Sequence, residues 1–160
     1  MTIQGAPEGT AYDWYRRALE LLERGDAGAS LVLLERVLAE DPGSRAALEA
    51  RARALFDSGR YADALVAFQE CVDLSPDDDY AHFGLGMSLW RCQEFLLARD
   101  HLAMASVMRP ERAEYARALS QVQATLVARG KAGLPLTGPL DSPPVLGVDT
   151  WSAEYPDERA

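Results

Sequence analysis

Residues 79–112 read DYAHFGLGMSLWRCQEFLLARDHLAMASVMRPER, and the proline near the end of this stretch sets the reading frame of the whole chain. Pro110 follows Pro76 by 34 residues, and Pro76 follows Pro42 by the same 34. Counting back gives three registers, beginning at Ala11, Arg45 and Asp79. Their eighth places hold Ala18, Ala52 and Gly86, and their eleventh Leu21, Leu55 and Leu89. The twentieth hold Ser30, Ala64 and Ala98, and the twenty-fourth Leu34, Phe68 and Leu102. Places four, eight and eleven share one helical face, and places twenty, twenty-four and twenty-seven share another. Small residues at eight and twenty let two such helices approach closely. Gly25 and Gly59 stand between the helices, where a left-handed residue closes the first. Each proline closes the second.

Every register therefore predicts a helical hairpin. The helices are expected at 11–24 and 27–40, at 45–58 and 61–74, and at 79–92 and 95–108, with Thr10 and Asp13 capping the first. Ala113–Gly130 starts a fourth register but supplies only one helix, as the end of a stack requires. The pattern resembles the tetratricopeptide repeat, a 34-residue motif running W-x2-L-G-x2-Y, then A-x3-F, then P. The resemblance covers roughly residues 11–130. It implies an all-α fold, a right-handed superhelical α-solenoid with repeats at 11–44, 45–78 and 79–112 and a capping helix at 113–129. Residues 1–10 are expected to be disordered, and residues 131–160 to form a proline-rich acidic tail, extended or disordered. Three places depart from the motif. Place seven holds Arg17 and Arg51 where an apolar residue is usual, place four passes from Trp14 and Leu48 to His82, and place twenty-seven holds Val37 and Cys71 before Ala105.

The 160 residues are 48% hydrophobic and 26% charged, an ordinary balance for a globular chain. The formal net charge of −9 repels phosphate backbones and argues against nucleic acid or anionic membrane as general partners. No apolar run approaches the ~20 residues of a membrane span. The opening MTIQGAPEGT has neither the basic start nor the apolar stretch of a secretory signal. Cys71 and Cys92 have no metal-ligand spacing and suit a reducing, cytoplasmic setting. Leu134–Gly138 reads LPLTG and fits the LPxTG pattern of wall-anchored proteins, but an acidic stretch follows it instead of an apolar span and a basic end. The anchoring reading fails.

Catalysis needs a convergent set of reactive groups. His82 occupies a place usually filled by packing residues, and His101 beside Asp100 reads as a surface residue. Gly84–Gly86 falls inside a helix and reads as close packing, not a phosphate cradle. Neither a hydrolase nor a zinc motif occurs. The chain is expected to be no enzyme and to need no cofactor or metal.

Binding is better supported. In each first helix, places two, five, nine and twelve turn away from the hairpin contact, and the resemblance implies that this side lines a concave groove. The groove residues expected are Tyr12, Tyr15, Arg16 and Leu19, then Arg53 and Phe56, then Tyr80, Phe83, Met87, Trp90 and Arg91, with Arg117 on the capping helix. Aromatic residues and arginine suit binding hot spots, although about half of these are expected to pack between neighbouring repeats. Relatives that grip chaperone C-termini do so with lysines and asparagines. Here the corresponding places hold Tyr15, Leu19, Arg53, Tyr80 and Gly84, the chain has no asparagine, and its single lysine is Lys131. That clamp is absent. The reading is an adaptor that holds a protein segment, with a structural or self-assembling subunit as the alternative and an enzyme accessory subunit more remote. Leu134, Leu136, Leu140, Val145, Leu146, Trp151 and Tyr155 in the tail are expected to form a docking segment, on this chain, a neighbouring copy or a separate partner.

Overall fold

The computed structural model describes residues 9–138. Its described residues form seven helices: α1 (Ala11–Glu23), α2 (Ala27–Glu40), α3 (Arg45–Asp57), α4 (Tyr61–Leu74), α5 (Asp79–Arg91), α6 (Phe95–Met108) and α7 (Ala113–Lys131). Each helix contacts the next, and α3 and α7 also flank α5. The result is an α-solenoid of three hairpins and a capping helix, with every hairpin helix within one residue of its expected bounds. The capping helix runs two residues further than expected.

Local chemistry sets these ends. Thr10 and Asp13 form a reciprocal capping box on α1. Asp26, Ser44 and Asp78 cap α2, α3 and α5 by accepting the backbone N–H of Ala29, Ala47 and Ala81. Between first and second helices the chain makes the same turn three times. Asp26 N–H reaches Leu21 O at 2.8 Å, Arg60 N–H reaches Leu55 O at 3.0 Å, and Glu94 N–H reaches Leu89 O at 2.9 Å. The turn requires positive φ, which Gly25 (81°) and Gly59 (76°) supply without strain. In the third hairpin Gln93 adopts it at 65°. Between hairpins Pro42 begins a tight turn in which Ser44 N–H donates to Asp41 O at 3.2 Å, and Asp78 and Arg112 repeat that bond after Pro76 and Pro110.

The core follows the register. Ala18, Ala52, Ala64, Ala98, Leu34, Phe68 and Leu102 are all fully buried. Ser30, at a small-residue place, satisfies its hydroxyl on Ala18 O at 2.9 Å. The two glycines of α5 serve different contacts. A Cβ on Gly84 would lie 2.2 Å from the Phe68 ring of α4, and one on Gly86 would lie 2.7 Å from Leu102 of α6. Glycine thus draws α5 against both second helices.

Candidate functional site

The first helices present one side of the solenoid and the second helices the other. On the first-helix side, Tyr12 is 67% exposed, Arg16 is exposed, and Tyr15 and Leu19 are half-buried. Burial, and then the charge of Glu49, push the Tyr15 phenol upward. Further along, Arg53 and Arg91 are half-buried and Arg117 is exposed. Arg53 pairs with Asp57 at 3.5 Å; burial nevertheless outweighs that pairing and raises the Asp57 carboxyl. Arg91 lies over the Tyr61 ring, 4.3 Å from its centroid, and donates to its hydroxyl at 2.7 Å.

Phe56, Tyr80, Phe83, Met87 and Trp90 are buried, none more than 5% exposed. Phe56 meets Tyr61 edge-on, Tyr80 meets Phe68 edge-on, and Phe83 stacks on Tyr115 of α7 with centroids 4.6 Å apart. The groove candidates thus stand in two states, an accessible group on α1 and a buried one centred on α5. Of the tail candidates, Leu134 is half-buried and Leu136 is 41% exposed. Leu140, Val145, Leu146, Trp151 and Tyr155 lie outside the described residues.

Leu134–Gly138 has a built seat. Arg129, near the end of α7 and only 6% exposed, lies over the Phe95 ring with its guanidinium 4.4 Å from the centroid. It donates to Pro135 O at 2.9 Å and to Gly138 O at 3.0 and 3.1 Å. Gly138 N–H donates to Gln93 O at 2.8 Å, and the Thr137 hydroxyl reaches Gln93 O and the Glu94 carboxylate at 3.2 and 2.8 Å. Sequence reasoning missed this latch: an arginine in the last turn of a helix reads as a dipole partner, and nothing local ties it to α6.

On the opposite side, α2, α3 and α4 enclose an open cleft of 410 Å³, lined by Leu31, Val32, Leu55 and Val66 with Glu35, Arg60, Asp63 and Glu70. Val32 is 64% exposed and Val66 67%. Arg51 lies at its floor, 3.5 Å from Glu35 and 3.4 Å from Glu70, with its Nε buried and unpartnered among the described residues. Place seven thus faces the second-helix layer, and its arginine finds two carboxylates there.

The histidines form a pair. His82, 2% exposed, places Nε2 2.8 Å from Pro76 O and Nδ1 3.0 Å from His101 Nδ1. A carbonyl only accepts, so Nε2 of His82 carries the hydrogen, and when both rings are neutral His101 donates through its own Nδ1. His101 is half-buried and stacked on His82, not the plain surface residue the sequence suggests. Its imidazolium is disfavoured first by burial and then by His82, against a smaller opposing effect of Asp100. Burial pushes the Cys71 thiol up to about 12, so it is inert as a nucleophile. Among the described residues no group of three or more metal-capable side chains occurs, and no helix is long and apolar enough to cross a membrane.

Helical hairpins stacked side by side through small-residue contacts define a helix-turn-helix solenoid. The chain belongs to the tetratricopeptide repeat family, whose sequence pattern matches residues 15–79 and again residues 55–122. Its backbone is similar to the Sgt2 tetratricopeptide domain of Aspergillus fumigatus, with a TM-score of 0.73 at 15% identity over 94% of this chain and 99% of that one. The first tetratricopeptide domain of human RPAP3 superposes with a TM-score of 0.70 at 16% identity, over 76% of this chain and 96% of that one. The corresponding domain of Spaghetti (RPAP3), solved bound to the HSP90 peptide SRMEEVD, gives 0.69 at 17% identity over 73% and 93%. At such identities the likeness concerns the fold. No curated protein sequence matches the chain.

Proposed function

We propose that the chain is a protein-interaction adaptor whose first-helix side receives a segment of another protein. The observation that carries this reading is the accessible group on α1, where exposed Tyr12 and Arg16 stand beside half-buried Tyr15 and Leu19. Two phenols, a guanidinium and an aliphatic patch on one rigid helix provide apolar area at low entropic cost, with charge at the rim. A domain of the same fold that holds a peptide supports the mode. The lysine-and-asparagine clamp for chaperone tails has no counterpart here, so the segment is read by aromatic and arginine contacts.

The test uses exposed residues, since truncating buried Tyr80 or Trp90 would confuse unfolding with lost binding. A partner captured by the full chain from its own cells should lose binding on Tyr12→Ala with Arg16→Ala, by roughly 2 kcal/mol or more for a true hot spot. Helical content should stay unchanged. Undiminished capture refutes the groove. A specific observation favours one second reading, a structural or self-assembling subunit: Val32 and Val66 stand exposed beside the 410 Å³ cleft on the opposite face. Loss of association on Val32→Asp or Val66→Asp, with Tyr12 and Arg16 irrelevant, establishes that reading instead.

A further inference from the structure

We propose that the open cleft between α2 and α4, floored by α3, is a second docking surface, and that it takes a basic, aliphatic segment of another protein. The chain would then hold two partners, one on each side of the solenoid. This surface shares no residue with the first-helix side and rests on the cleft's own geometry and charge.

The apolar half of the argument is positional. At 410 Å³ the cleft falls within the roughly 300–1,000 Å³ typical of ligand sites. Leu31 and Leu55 line it, and Val32 and Val66 stand exposed beside them. The two valines hold the same twenty-second place of successive registers, where the third register has Asp100. The exposed pair therefore belongs to this cleft alone and is not a packing requirement of the repeat, whose buried places lie elsewhere.

Charge selects the occupant. Arg60 and Asp63 satisfy each other at 2.9 Å. Arg51 must serve two carboxylates, Glu35 at 3.5 Å and Glu70 at 3.4 Å, both longer than the roughly 2.7–2.9 Å of a good charge-assisted bond. Three carboxylates against two guanidinium groups leave the lining with a net charge of −1. Glu35 and Glu70 are themselves exposed, so both stay open to an incoming donor. A lysine or arginine side chain meets both needs at once: its methylene stem lies along the valines while its head reaches the carboxylates. A second copy of the chain suits the cleft poorly. A two-fold dimer sets a patch against itself, which would bring Glu35 and Glu70 of two chains together, each chain carrying −9. A basic partner is instead drawn in by that field.

The probe is a synthetic amphipathic helix of leucine and lysine with blocked ends, and its control replaces every lysine by glutamate. Both are titrated into the isotope-labelled full chain at about 0.15 M salt, where charges more than about 8 Å apart are largely screened. The lysine peptide should shift the amide resonances around Val32, Val66 and Glu70, and the glutamate peptide should not. Glu35→Gln with Glu70→Gln should weaken binding by about threefold or more, the scale of two exposed ion pairs. Arg51→Leu should strengthen it, because both carboxylates lose their internal partner. Arg24→Leu makes the same change in net charge at an exposed site outside the cleft and should leave the affinity as it was. Val32→Ser with Val66→Ser should weaken binding, which a purely electrostatic attachment would not do. Tyr12→Ala with Arg16→Ala should have no effect, which separates this surface from the first-helix side. Shifts centred on the first helices, equal gains from Arg51→Leu and Arg24→Leu, or indifference to the valines would overturn the proposal. Sedimentation of the free chain as a dimer that Val32→Ser with Val66→Ser dissolves would overturn it too, since a second copy would then occupy the cleft.

Discussion

Alanine at Gly84 is the sharpest test of how the repeats are held together. In an open helix, replacing glycine by alanine stabilises by about 1 kcal/mol, because glycine loses more backbone freedom on folding. Gly84 is not in an open helix. Its added Cβ would lie 2.2 Å from Cε1 and 2.3 Å from Cζ of Phe68. Phe68 is fully buried and meets Tyr80 edge-on, so its ring has nowhere to retreat without moving α4. Overpacking of this kind costs about 1–3 kcal/mol. Offset by the helix gain, the net destabilisation is up to about 2 kcal/mol, or up to about 8 °C in melting temperature for a domain of this size.

Gly28 provides the internal control. It too stands within a helix, yet nothing lies within 4 Å of its would-be Cβ. Gly28→Ala should stabilise, by less than about 1 kcal/mol since it falls in the first turn, and so raise the melting temperature. Thermal unfolding followed by circular dichroism reads both signs in one experiment. Phe68→Leu in the Gly84→Ala background should recover part of the loss, a non-additivity that only direct contact produces. A melting temperature that rises with Gly84→Ala as it does with Gly28→Ala would show slack between α4 and α5, and would remove close approach as the reason for glycine there.

Two further outcomes are expected. Arg51→Leu should leave stability unchanged or raise it by up to about 1 kcal/mol, because Glu35 and Glu70 are 60% and 49% exposed and stay hydrated when released, while a buried Nε without a partner disappears; a loss beyond about 2 kcal/mol in denaturant titration would show that the ion pairs hold α2 to α4. The folded state depresses the His101 pKa, first by burial and then through His82. The sign follows: its contribution is complete above the unfolded value near 6.5 and is lost as pH falls below that value toward the folded one. Melting temperature should therefore decline as pH falls below about 6.5, and His101→Gln should flatten that decline. An unchanged slope in the variant would place the acid sensitivity elsewhere.

What the sequence disclosed, and what it withheld, divides along the periodicity. A packing requirement that recurs every 34 residues is written three times over, so the small places at Ala18, Ala52 and Gly86 and the turn glycines at Gly25 and Gly59 were legible with no structure at all. Even Gln93 obeys the turn, though it is not glycine: the helix-closing bonds from Gln93 N–H and Glu94 N–H hold the same geometry. Contacts made once leave no such trace. Gly84 looked like a companion of Gly86, but the two face different helices, a distinction that depends on a rotation of about 200° along α5 and on where Phe68 stands. The His82–His101 pair needs two helices in register, and each histidine alone suggested a different surrounding.

The accessible part of the candidate site was the easier half for the same reason. Which side of a first helix turns away from its hairpin follows from the period alone, and α1 presents Tyr12 and Arg16 on that side. Whether that side is open or sealed does not follow, because exposure depends on everything else the chain brings to it. On α1 it is open; on α5, from Tyr80 to Trp90, it is closed. The latch links these states to an aperiodic segment. Arg129 reaches across from the capping helix to hold two carbonyls of the LPLTG stretch, and Gln93 offers its own carbonyl from the one first-to-second-helix turn that lacks glycine. A stretch whose letters suggested anchorage to a wall is instead fastened to its own last repeat, through the main chain of Pro135 and Gly138 and the hydroxyl of Thr137. Side-chain pattern could not have revealed the part that Arg129 plays, because the atoms it recognises are main-chain oxygens.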